Sequence, residues 1–335
     1  MVKHRAARNT TIHLDFTVCN TEDTLAAAIQ ALQGSRTIFL DCEGEKLGLK
    51  GGCLSLISLG MPVPDAEQPR IYIIDALVLT VRTLRPIFAI LETPDITKIV
   101  FDGRMDHTAL FFRKNTKLRM QNVVDLQLAE VKSRARRGEG WMAQRTRLSP
   151  YLPANEVKRH VALYEEVHKL AGLEQVVREH QVDVPQEQLT AKANFTHKNW
   201  IKRPLSRTYL QYAATDIALI ARLRAKFSAE GYLADAGVLA AQSLRYVNMW
   251  THGPQPLLGD VYKLHALLPL GILILDDVTD EAGKYCAGCG RTLAQDCFSA
   301  SAWKRARGRS CLVCRAIGVR LEWKDAFRRA VGKSR

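Results

Sequence analysis

The 335-residue sequence predicts a mixed α/β fold, in which helices flank a five-stranded sheet and a small cysteine-rich module follows. Three short β-rich runs lie close together near the N-terminus, and short links favour antiparallel pairing. Further along, strands alternate with helices, and such crossovers place strands parallel to one another. The sheet is therefore expected to combine both kinds of pairing.

The spacing of apolar residues predicts each element in turn. Helices are expected where apolar residues recur every three or four positions, and strands where short apolar runs lie between turn residues. The five predicted strands are residues 37–43, 54–59, 71–75, 98–102 and 123–125. The predicted helical segments are residues 24–34, 81–91, 106–112, 157–182 and 206–227.

These elements predict five parts of the chain. The main domain is expected to cover residues 20–235, because the alternation of strands and helices ends there. A proline-containing connector follows, and the C-terminal cysteines define the module. The remaining parts are an N-terminal extension (1–19), the connector (236–280), the module (281–318) and a basic tail (319–335).

The composition is that of a globular protein with an excess of positive charge. Hydrophobic residues make up 47% and charged residues 24%, which excludes a collagen-like, mucin-like or wholly disordered chain. The formal net charge is +14, and residues 301–335 alone hold 11 Lys or Arg against two acids. Residues 132–147 hold six more against one acid. Such an excess favours a polyanionic partner, either a nucleic acid or an anionic membrane surface, although each run is also compatible with a solvated face.

The sequence shows neither a membrane span nor a secretion signal. Its longest apolar run, residues 264–275, is shorter than the ~18 to 20 residues that cross a bilayer. The N-terminal residues are basic but lack an apolar core. We therefore expect an intracellular location, nuclear or cytoplasmic, and no membrane partner.

Four carboxylates and one phenol occupy positions that suit a common site. Asp41 and Glu43 lie two residues apart near the end of the first predicted strand, so both project from the same face. Asp106 opens a predicted helix, while Tyr212 and Asp216 share one face of the long helix. Taken singly, these residues could be a turn acid, a helix-start acid favoured by the dipole, and a core tyrosine beside a surface acid.

In combination these motifs resemble the RNase D-like exonucleases of the DEDD superfamily, in the subclass marked by tyrosine. The similarity extends over about residues 20–230, and the D-C-E-G-x-x-L-G and F-D-x-R-x-D-x-x-A-L segments resemble the Egalitarian-like eukaryotic branch. The matching segments are IFLDCEGEKLGLKGGCLSLISLG, KIVFDGRMDHTALFF, NVVDLQLAEV, LAGLEQVVREH and NWIKRPLSRTYLQYAATDIALIARL. The resemblance implies an RNase H-like fold and metal-dependent 3′-to-5′ hydrolysis of nucleic acid at a single-stranded 3′ end, with RNA favoured over DNA.

The same resemblance implies roles for individual residues. It makes Tyr212 the group that positions or activates the attacking water, because the histidine subclass carries His where Gln211 stands. Bacterial relatives usually carry His at the position of Phe101 and lack an acid at Asp102, which leaves Asp102 as a candidate for supporting the metal ligands. Residues 132–153 have no clear counterpart in the family and are interpreted as a basic insertion. Two Mg²⁺ or Mn²⁺ ions would be held by the four carboxylates, Asp41, Glu43, Asp106 and Asp216.

The C-terminal cysteines have the spacing of a structural zinc site. Two Cys-x-x-Cys pairs are separated by 21 residues, and each pair can supply two thiolates to one tetrahedral ion. A disulfide framework would need an oxidising compartment, for which the sequence gives no support. The predicted zinc ligands are Cys286, Cys289, Cys311 and Cys314.

Two interpretations of this module remain open. Its basic residues could hold a phosphate backbone without reading bases, and the residues expected to do so are Lys304, Arg305, Arg307 and Arg309. Alternatively, the module could bind a protein partner. In that case the chain could be a catalytically weak nucleic-acid-binding adaptor, for instance in RNA silencing, that retains the exonuclease fold as a scaffold.

Overall fold

The computed structural model describes residues 14–185, 199–274 and 283–332. Within them the main sheet has six strands, in the order β1-β4-β3-β2-β5-β6. Strands β2, β3 and β4 pair antiparallel, whereas β1 with β4, β2 with β5 and β5 with β6 pair parallel. The strands are β1 Phe16–Cys19, β2 Thr37–Glu45, β3 Cys53–Met61, β4 Arg70–Asp75, β5 Thr97–Val100 and β6 Val123–Asp125. The mixed α/β class and the antiparallel meander are confirmed.

Helices cover both faces of this sheet. One face packs on α1, α2 and α3, and the other packs on α4, α8 and most of α9, so two apolar cores enclose the sheet. The helices are α1 Glu22–Gln33, α2 Val81–Glu92, α3 Arg104–Phe112, α4 Leu126–Arg136, α5 Trp141–Leu148, α6 Ala154–Arg159, α7 Leu173–Glu179, α8 Arg207–Ala229, α9 Ala236–Val247, α10 Ala300–Lys304 and α11 Leu312–Gly332. None of the helices in the described residues is both long and apolar enough to cross a bilayer.

The sheet domain extends beyond residues 20–235 at both ends. Strand β1, in the predicted N-terminal extension, pairs with β4 as a sixth strand. Helix α9, in the predicted connector, packs beside β6, and its Ser243 hydroxyl accepts a hydrogen bond from the Asp125 backbone N–H at 2.9 Å. The Tyr246 hydroxyl donates to Gln127 Oε1 at 2.7 Å. At the N-terminal end the difference arises because β1 has only four residues, too few to show an alternating pattern.

The helical pattern predicted over residues 157–182 is broken in the structure into α6 and α7 with irregular chain between them. There the backbone forms short turns and also pairs with the connector. The Leu170 N–H donates to the Ala266 carbonyl at 2.9 Å, and the Leu268 N–H donates to the His168 carbonyl at 2.8 Å. These long-range hydrogen bonds replace those that a continuous helix would have made.

The cysteine-rich module packs against the segment that contains α5 and α6. A short hairpin of β7 Lys284–Tyr285 and β8 Thr292–Leu293 begins the module. Its apolar residues share one buried cluster with Leu148, Leu152 and Tyr164 from the sheet-domain chain. Helix α11 starts inside the module and runs on through the predicted tail, so the predicted boundary at residues 318 and 319 falls within a helix.

The basic run at residues 132–147 is largely used in ion pairs. Arg134 makes a buried bidentate contact with Glu130, at 2.9 and 2.6 Å. Arg147 makes the same kind of contact with Glu139, at 2.8 and 2.9 Å, and also reaches Glu179. These arginines support the packing of α4, α5 and α7 and are less available to a polyanion than their sequence suggests.

Candidate active site

Strand β2 places the first two carboxylates. Register pairs Asp41 with Ser58 and Glu43 with Leu56 on β3, so the two acids lie on one face of the sheet, as the two-residue spacing predicts. That face packs on α8, since Phe39 and Leu56 belong to the same buried cluster as Ile217. The acids thus point toward the helix that carries Asp216.

Helix α8 approaches the sheet closely at a glycine. A Cβ atom on Gly60 of β3 would lie 2.4 Å from Ile217 Cγ2, and real Cβ atoms do not approach so near. Glycine at this position therefore allows α8 to pack close to the sheet. Since Asp216 precedes Ile217, the same contact sets the distance between the Asp216 carboxylate and β2.

The resulting group contains three carboxylates. Oxygens of Asp41, Glu43 and Asp216 all lie within 4.8 Å of one another. Glu43 is 8% exposed and Asp216 6% exposed, while Asp41 is half-buried. Three clustered and largely buried carboxylates repel one another unless a cation compensates them.

Asp106 lies in the first turn of α3, next to this group but outside it. It is 6% exposed and accepts a hydrogen bond from the backbone N–H of Cys42. Burial, followed by the negative charge of Asp41, raises the pKa of Asp106 well above its ordinary value. Asp106 therefore lies close enough to Asp41 to feel its charge, while its role as a metal ligand stays a prediction.

A buried acid that sequence reasoning missed fixes the turn before α3. Asp125 is fully buried at the end of β6 and accepts hydrogen bonds from the N–H groups of Asp102, Gly103 and Gln127, at 3.1, 3.0 and 2.9 Å. Asp102 adopts φ +54° and pairs with Arg104 at 2.5 Å. Asp125 therefore fixes the β5–α3 turn that positions Asp106. In the sequence, the acid at the end of the predicted strand 123–125 was the signal that could have indicated this role.

Tyr212 lies one turn before Asp216 on α8. Its ring packs edge-on against buried Trp200, with centroids 5.9 Å apart, and Trp200 packs in the same way against Tyr209 at 4.9 Å. Burial, followed by the charges of Asp216, Glu43 and Asp41, raises the pKa of Tyr212 far above its ordinary value of 10.0. The phenol thus faces the carboxylate group and keeps its proton at neutral pH.

An arginine fastens the chain just before α8 to the sheet. Arg203 makes a two-pronged contact with Asp75 at the end of β4, at 2.6 and 2.8 Å. The same guanidinium donates to the hydroxyl of Ser55 at 2.9 Å and to the carbonyl of Trp200 at 2.8 Å. The planar fork of arginine suits this geometry, and it fixes the tryptophan on which Tyr212 rests.

The donor chemistry of the acidic site fits hard divalent ions. Carboxylate oxygens are the ligands that Mg²⁺ and Mn²⁺ prefer, and three of them converge here with Asp106 alongside. Burial, followed by repulsion from Asp41, raises the pKa of Asp106, and a bound cation would favour its charged form. The residues present therefore fit divalent metal, although no ion identity follows from them.

The four predicted zinc ligands converge in the same way. The Sγ atoms of Cys286, Cys289, Cys311 and Cys314 lie within 4.8 Å of one another. The Cys311 N–H donates to Cys286 Sγ at 3.2 Å, a contact that stabilises thiolate character. A Cβ on Gly288 would lie 2.8 Å from Cys314 Sγ, so glycine is needed for the close approach. This donor set suits a tetrahedral structural zinc ion.

The basic residues predicted to contact nucleic acid lie on the loop between the two cysteine pairs. Lys304, Arg305 and Arg307 are exposed. Arg309 instead folds back, and its guanidinium donates to the carbonyls of Arg305, at 3.1 Å, and Ala306, at 2.9 Å. Arg309 therefore stabilises the loop, and only the other three project freely.

Comparison with known proteins agrees with this fold. A family model described as a 3′-5′ exonuclease matches residues 16–231. Its start coincides with β1, which is consistent with that strand being part of the sheet domain. The chain belongs to this 3′-5′ exonuclease family and is a hydrolase of phosphodiester bonds. No match is found among the curated proteins.

Solved structures with a similar fold include RNase D from Trypanosoma brucei. Its complex with RNA U12 is 21% identical, with a TM-score of 0.55 and 83% of each chain covered. Another structure of the same protein is 20% identical, with a TM-score of 0.54, and covers 83% of this chain and 93% of the other. Its complex with GMP has a TM-score of 0.52 at 20% identity, covering 83% of this chain and 82% of the other. The chain therefore has an RNase D-like fold over most of its length.

Proposed function

We propose that this protein is a 3′-to-5′ exoribonuclease that shortens single-stranded RNA with the aid of two divalent metal ions. The observation that carries the proposal is the convergence of Asp41, Glu43 and Asp216 within 4.8 Å, with Tyr212 one turn before Asp216 on the same helix. RNA is favoured as substrate because a T. brucei RNase D of similar fold was solved with RNA U12. We place the enzyme inside the cell, since reduced thiols are needed for its cysteine site.

Bound divalent ions would compensate charge on the phosphodiester oxygens and lower the pKa of the attacking water. Asp41, Glu43 and Asp216 would hold them, with Asp106 contributing from α3. Burial of these acids limits the water that competes for their oxygens. The Tyr212 hydroxyl would hydrogen-bond to the attacking water and orient it, while packing on Trp200 fixes the ring.

The competing proposal is a nucleic-acid-binding adaptor. A scaffold gains nothing from three mutually repelling carboxylates, whose burial costs free energy in the absence of a cation. The intact acid set therefore favours catalysis. The protein-binding role of the cysteine module remains compatible with either proposal.

A time course on strands labelled at the 5′ end tests the proposal. RNA and DNA of one sequence would be incubated with the full-length protein and Mg²⁺, Mn²⁺ or no added metal. We expect a ladder that shortens from the 3′ end, faster on RNA, and only with added metal. Binding without shortening would favour the adaptor, and shortening that needs no divalent metal would overturn the metal proposal.

The matched pair for this assay is Asp41→Asn and Asp65→Asn. The first removes a carboxylate from the acidic site, whereas Asp65 is exposed on the β3–β4 loop. We expect Asp41→Asn to abolish nucleotide release while the fold is retained, and Asp65→Asn to behave as the unaltered protein. Metal-dependent release by Asp41→Asn would contradict the assignment of the site.

A further inference from the structure

The connector and helix α11 enclose a cavity of about 540 Å³ against the start of α3. This volume lies within the roughly 300–1,000 Å³ of ligand pockets. Among the described residues that line it there is no acid, although the chain contains 34 acids. We call it the basic cavity, after its four cationic side chains, Arg104, Lys263, Arg320 and Lys324.

A second cavity continues the basic cavity toward the cysteine module. It measures about 660 Å³ and shares Trp250 and Lys263 with the first as a common wall. Arg245 and Arg291 add positive charge, and the described lining again lacks any acid. A cationic path thus runs from α3 to the turn that contains Cys289.

Arg320 and Lys324 of the basic cavity keep their charge available for an anion. Arg104 does not, because its side chain is only 9% exposed and is paired with Asp102. Arg320, in contrast, stacks on the ring of Tyr151 at 3.7 Å and donates to its carbonyl at 2.6 Å, which leaves other N–H groups unused. No acid in the described chain forms an ion pair with Arg320 or Lys324, which lie four residues apart on one face of α11.

The remaining lysine is held in place without being fully neutralised. Lys263 lies 3.2 Å from the Asp260 carboxylate and 5.8 Å from the centre of the Trp250 ring. Its side chain is 22% exposed, so the ammonium still reaches the cavity. Three cations from two separate segments therefore converge on one space.

The position of the basic cavity relates it to the acidic site. Arg104 and Met105 line the cavity, and Asp106 follows them in the same turn of α3. A strand that extends from the acidic site past this turn of α3 would therefore reach the cavity. A surface with several cations and few acids attracts a phosphate backbone.

We propose that the basic cavity binds the phosphate backbone of the substrate strand on the 5′ side of the scissile bond. The proposal rests on the exonuclease function proposed above and assigns strand binding to Lys263, Arg320 and Lys324, in place of the exposed loop of Lys304, Arg305 and Arg307. Because these groups contact phosphates and not bases, they hold strands of any sequence.

Binding can be measured by fluorescence anisotropy with a labelled RNA oligonucleotide and full-length protein carrying Asp41→Asn. The cavity pair, Lys263→Gln with Lys324→Gln, is compared with a loop pair of equal charge, Lys304→Gln with Arg307→Gln. We expect the cavity pair to raise Kd about five- to tenfold and to reduce the slope of log K against log salt by about 0.7 per lost contact. A loop pair that weakens binding as much, or an unchanged cavity pair, would overturn the proposal.

Hydrolysis by proteins with Asp41 intact separates this proposal from the exonuclease function. A nitrophenyl ester of a nucleoside monophosphate fills only the acidic site, whereas a long RNA also fills the cavity. We expect the cavity pair to lower kcat/KM on long RNA about five- to tenfold and to leave ester hydrolysis unchanged. An equal loss on both substrates would overturn the cavity assignment. If the unaltered protein cleaves neither, the exonuclease proposal fails, while the anisotropy comparison still decides whether the cavity binds the strand.

Discussion

Gly60 of β3 lies directly beneath Ile217 of α8, with room for no side chain between them. A Cβ atom at Gly60 would approach Ile217 Cγ2 to 2.4 Å, and both residues are enclosed by the same apolar core. The carboxylate of Asp216 is one residue away. A packing contact between two residues without functional side-chain groups therefore sets the position of Asp216, one of the three clustered carboxylates.

Gly60→Ala should lower activity and stability together. The added methyl would force α8 away from β3, and overpacking of this kind costs about 1–3 kcal/mol. Urea unfolding and the rate of RNA shortening are the measurements. Gly237→Ala, where nothing lies within 4 Å, is the control and should leave activity unchanged.

A double substitution isolates the contact. Ile217→Ala removes the methyl that the new side chain would meet, so Gly60→Ala should cost less in that background than in the unaltered protein. Additive losses would show that the two residues do not act through each other.

Tyr212→Phe should slow hydrolysis by about 10² to 10⁴, the usual effect of losing a positioned hydrogen-bonding group. The ring would still pack on Trp200, so the unfolding midpoint should stay near that of the unaltered protein. Tyr209→Phe is the matched control, because Tyr209 packs on the same tryptophan. A similar loss in both variants would assign the effect to packing and not to the Tyr212 hydroxyl.

The ionisation of the Tyr212 phenol can be followed in the metal-free protein. Because burial, followed by the charges of Asp216, Glu43 and Asp41, raises the pKa of Tyr212 above its ordinary value of 10.0, the phenol should stay protonated in the neutral and mildly alkaline range when no cation is bound. The ultraviolet absorbance of phenolate, compared between the unaltered protein and Tyr212→Phe without divalent metal, should show no difference up to pH 10. A phenolate signal below pH 10 that is lost in Tyr212→Phe would show that the tyrosine ionises there.

Stability should fall as the solution becomes acidic, partly through two half-buried histidines. Burial lowers the pKa of His168 and of His265 from 6.5 to about 4. Between pH 6.5 and about 4 the unfolded chain therefore binds more protons than the folded chain. In this range each histidine lowers the free energy of unfolding by at most about 1.4 kcal/mol for each pH unit of acidification. His265 Nδ1 also accepts a hydrogen bond from the Leu267 N–H at 3.2 Å, which requires the unprotonated nitrogen.

His265→Gln should flatten this dependence, because glutamine does not titrate and can still accept the Leu267 hydrogen bond. Urea midpoints of the two proteins at several pH values between 7 and 5 give the comparison. The loss of stability on acidification should be smaller in the variant. Parallel curves would show that His265 protonates equally in the folded and unfolded chains.

Cys311→Ser should remove metal from the C-terminal module and unfold it. A module of this size buries too little apolar surface to fold without a metal or a disulfide. Elemental analysis should find close to one zinc per chain in the unaltered protein and in Cys297→Ser, because Cys297 lies outside the cluster of four. Zinc retained by Cys311→Ser would contradict the proposed ligand set.

The sequence predicted those features that depend on local spacing. Asp41 and Glu43 share a face because a strand repeats every two residues, and Tyr212 and Asp216 share one because a helix places residues four apart together. Within each Cys-x-x-Cys pair, the two thiols lie together because a tight turn links them. Each of these relationships is set by a few neighbouring residues, which one sequence displays directly.

The remainder depends on contacts between distant residues. The residues next to Gly60 in the sequence give no sign of its contact with Ile217. The partner of Asp75 is Arg203, which follows strands β5 and β6 and helices α2 to α7 along the chain. The charge-rich run at residues 132–147 was compatible with a solvated face, yet its arginines meet glutamates brought by the fold. The basic cavity likewise exists only once α11 has packed against the connector.

Helix α11 is one continuous rod that carries Cys314 near its start and Arg320 and Lys324 two and three turns later. Metal at the cysteines therefore orients the surface that would grip the strand, while the acids on β2 and α8 are anchored elsewhere. The supply of zinc would then determine which lengths of RNA the protein hydrolyses efficiently. A chain without zinc should still shorten very short fragments but should bind longer strands more weakly. Loss of zinc would thus change the preferred substrate, whereas hydrolysis at the acidic site would be unaffected.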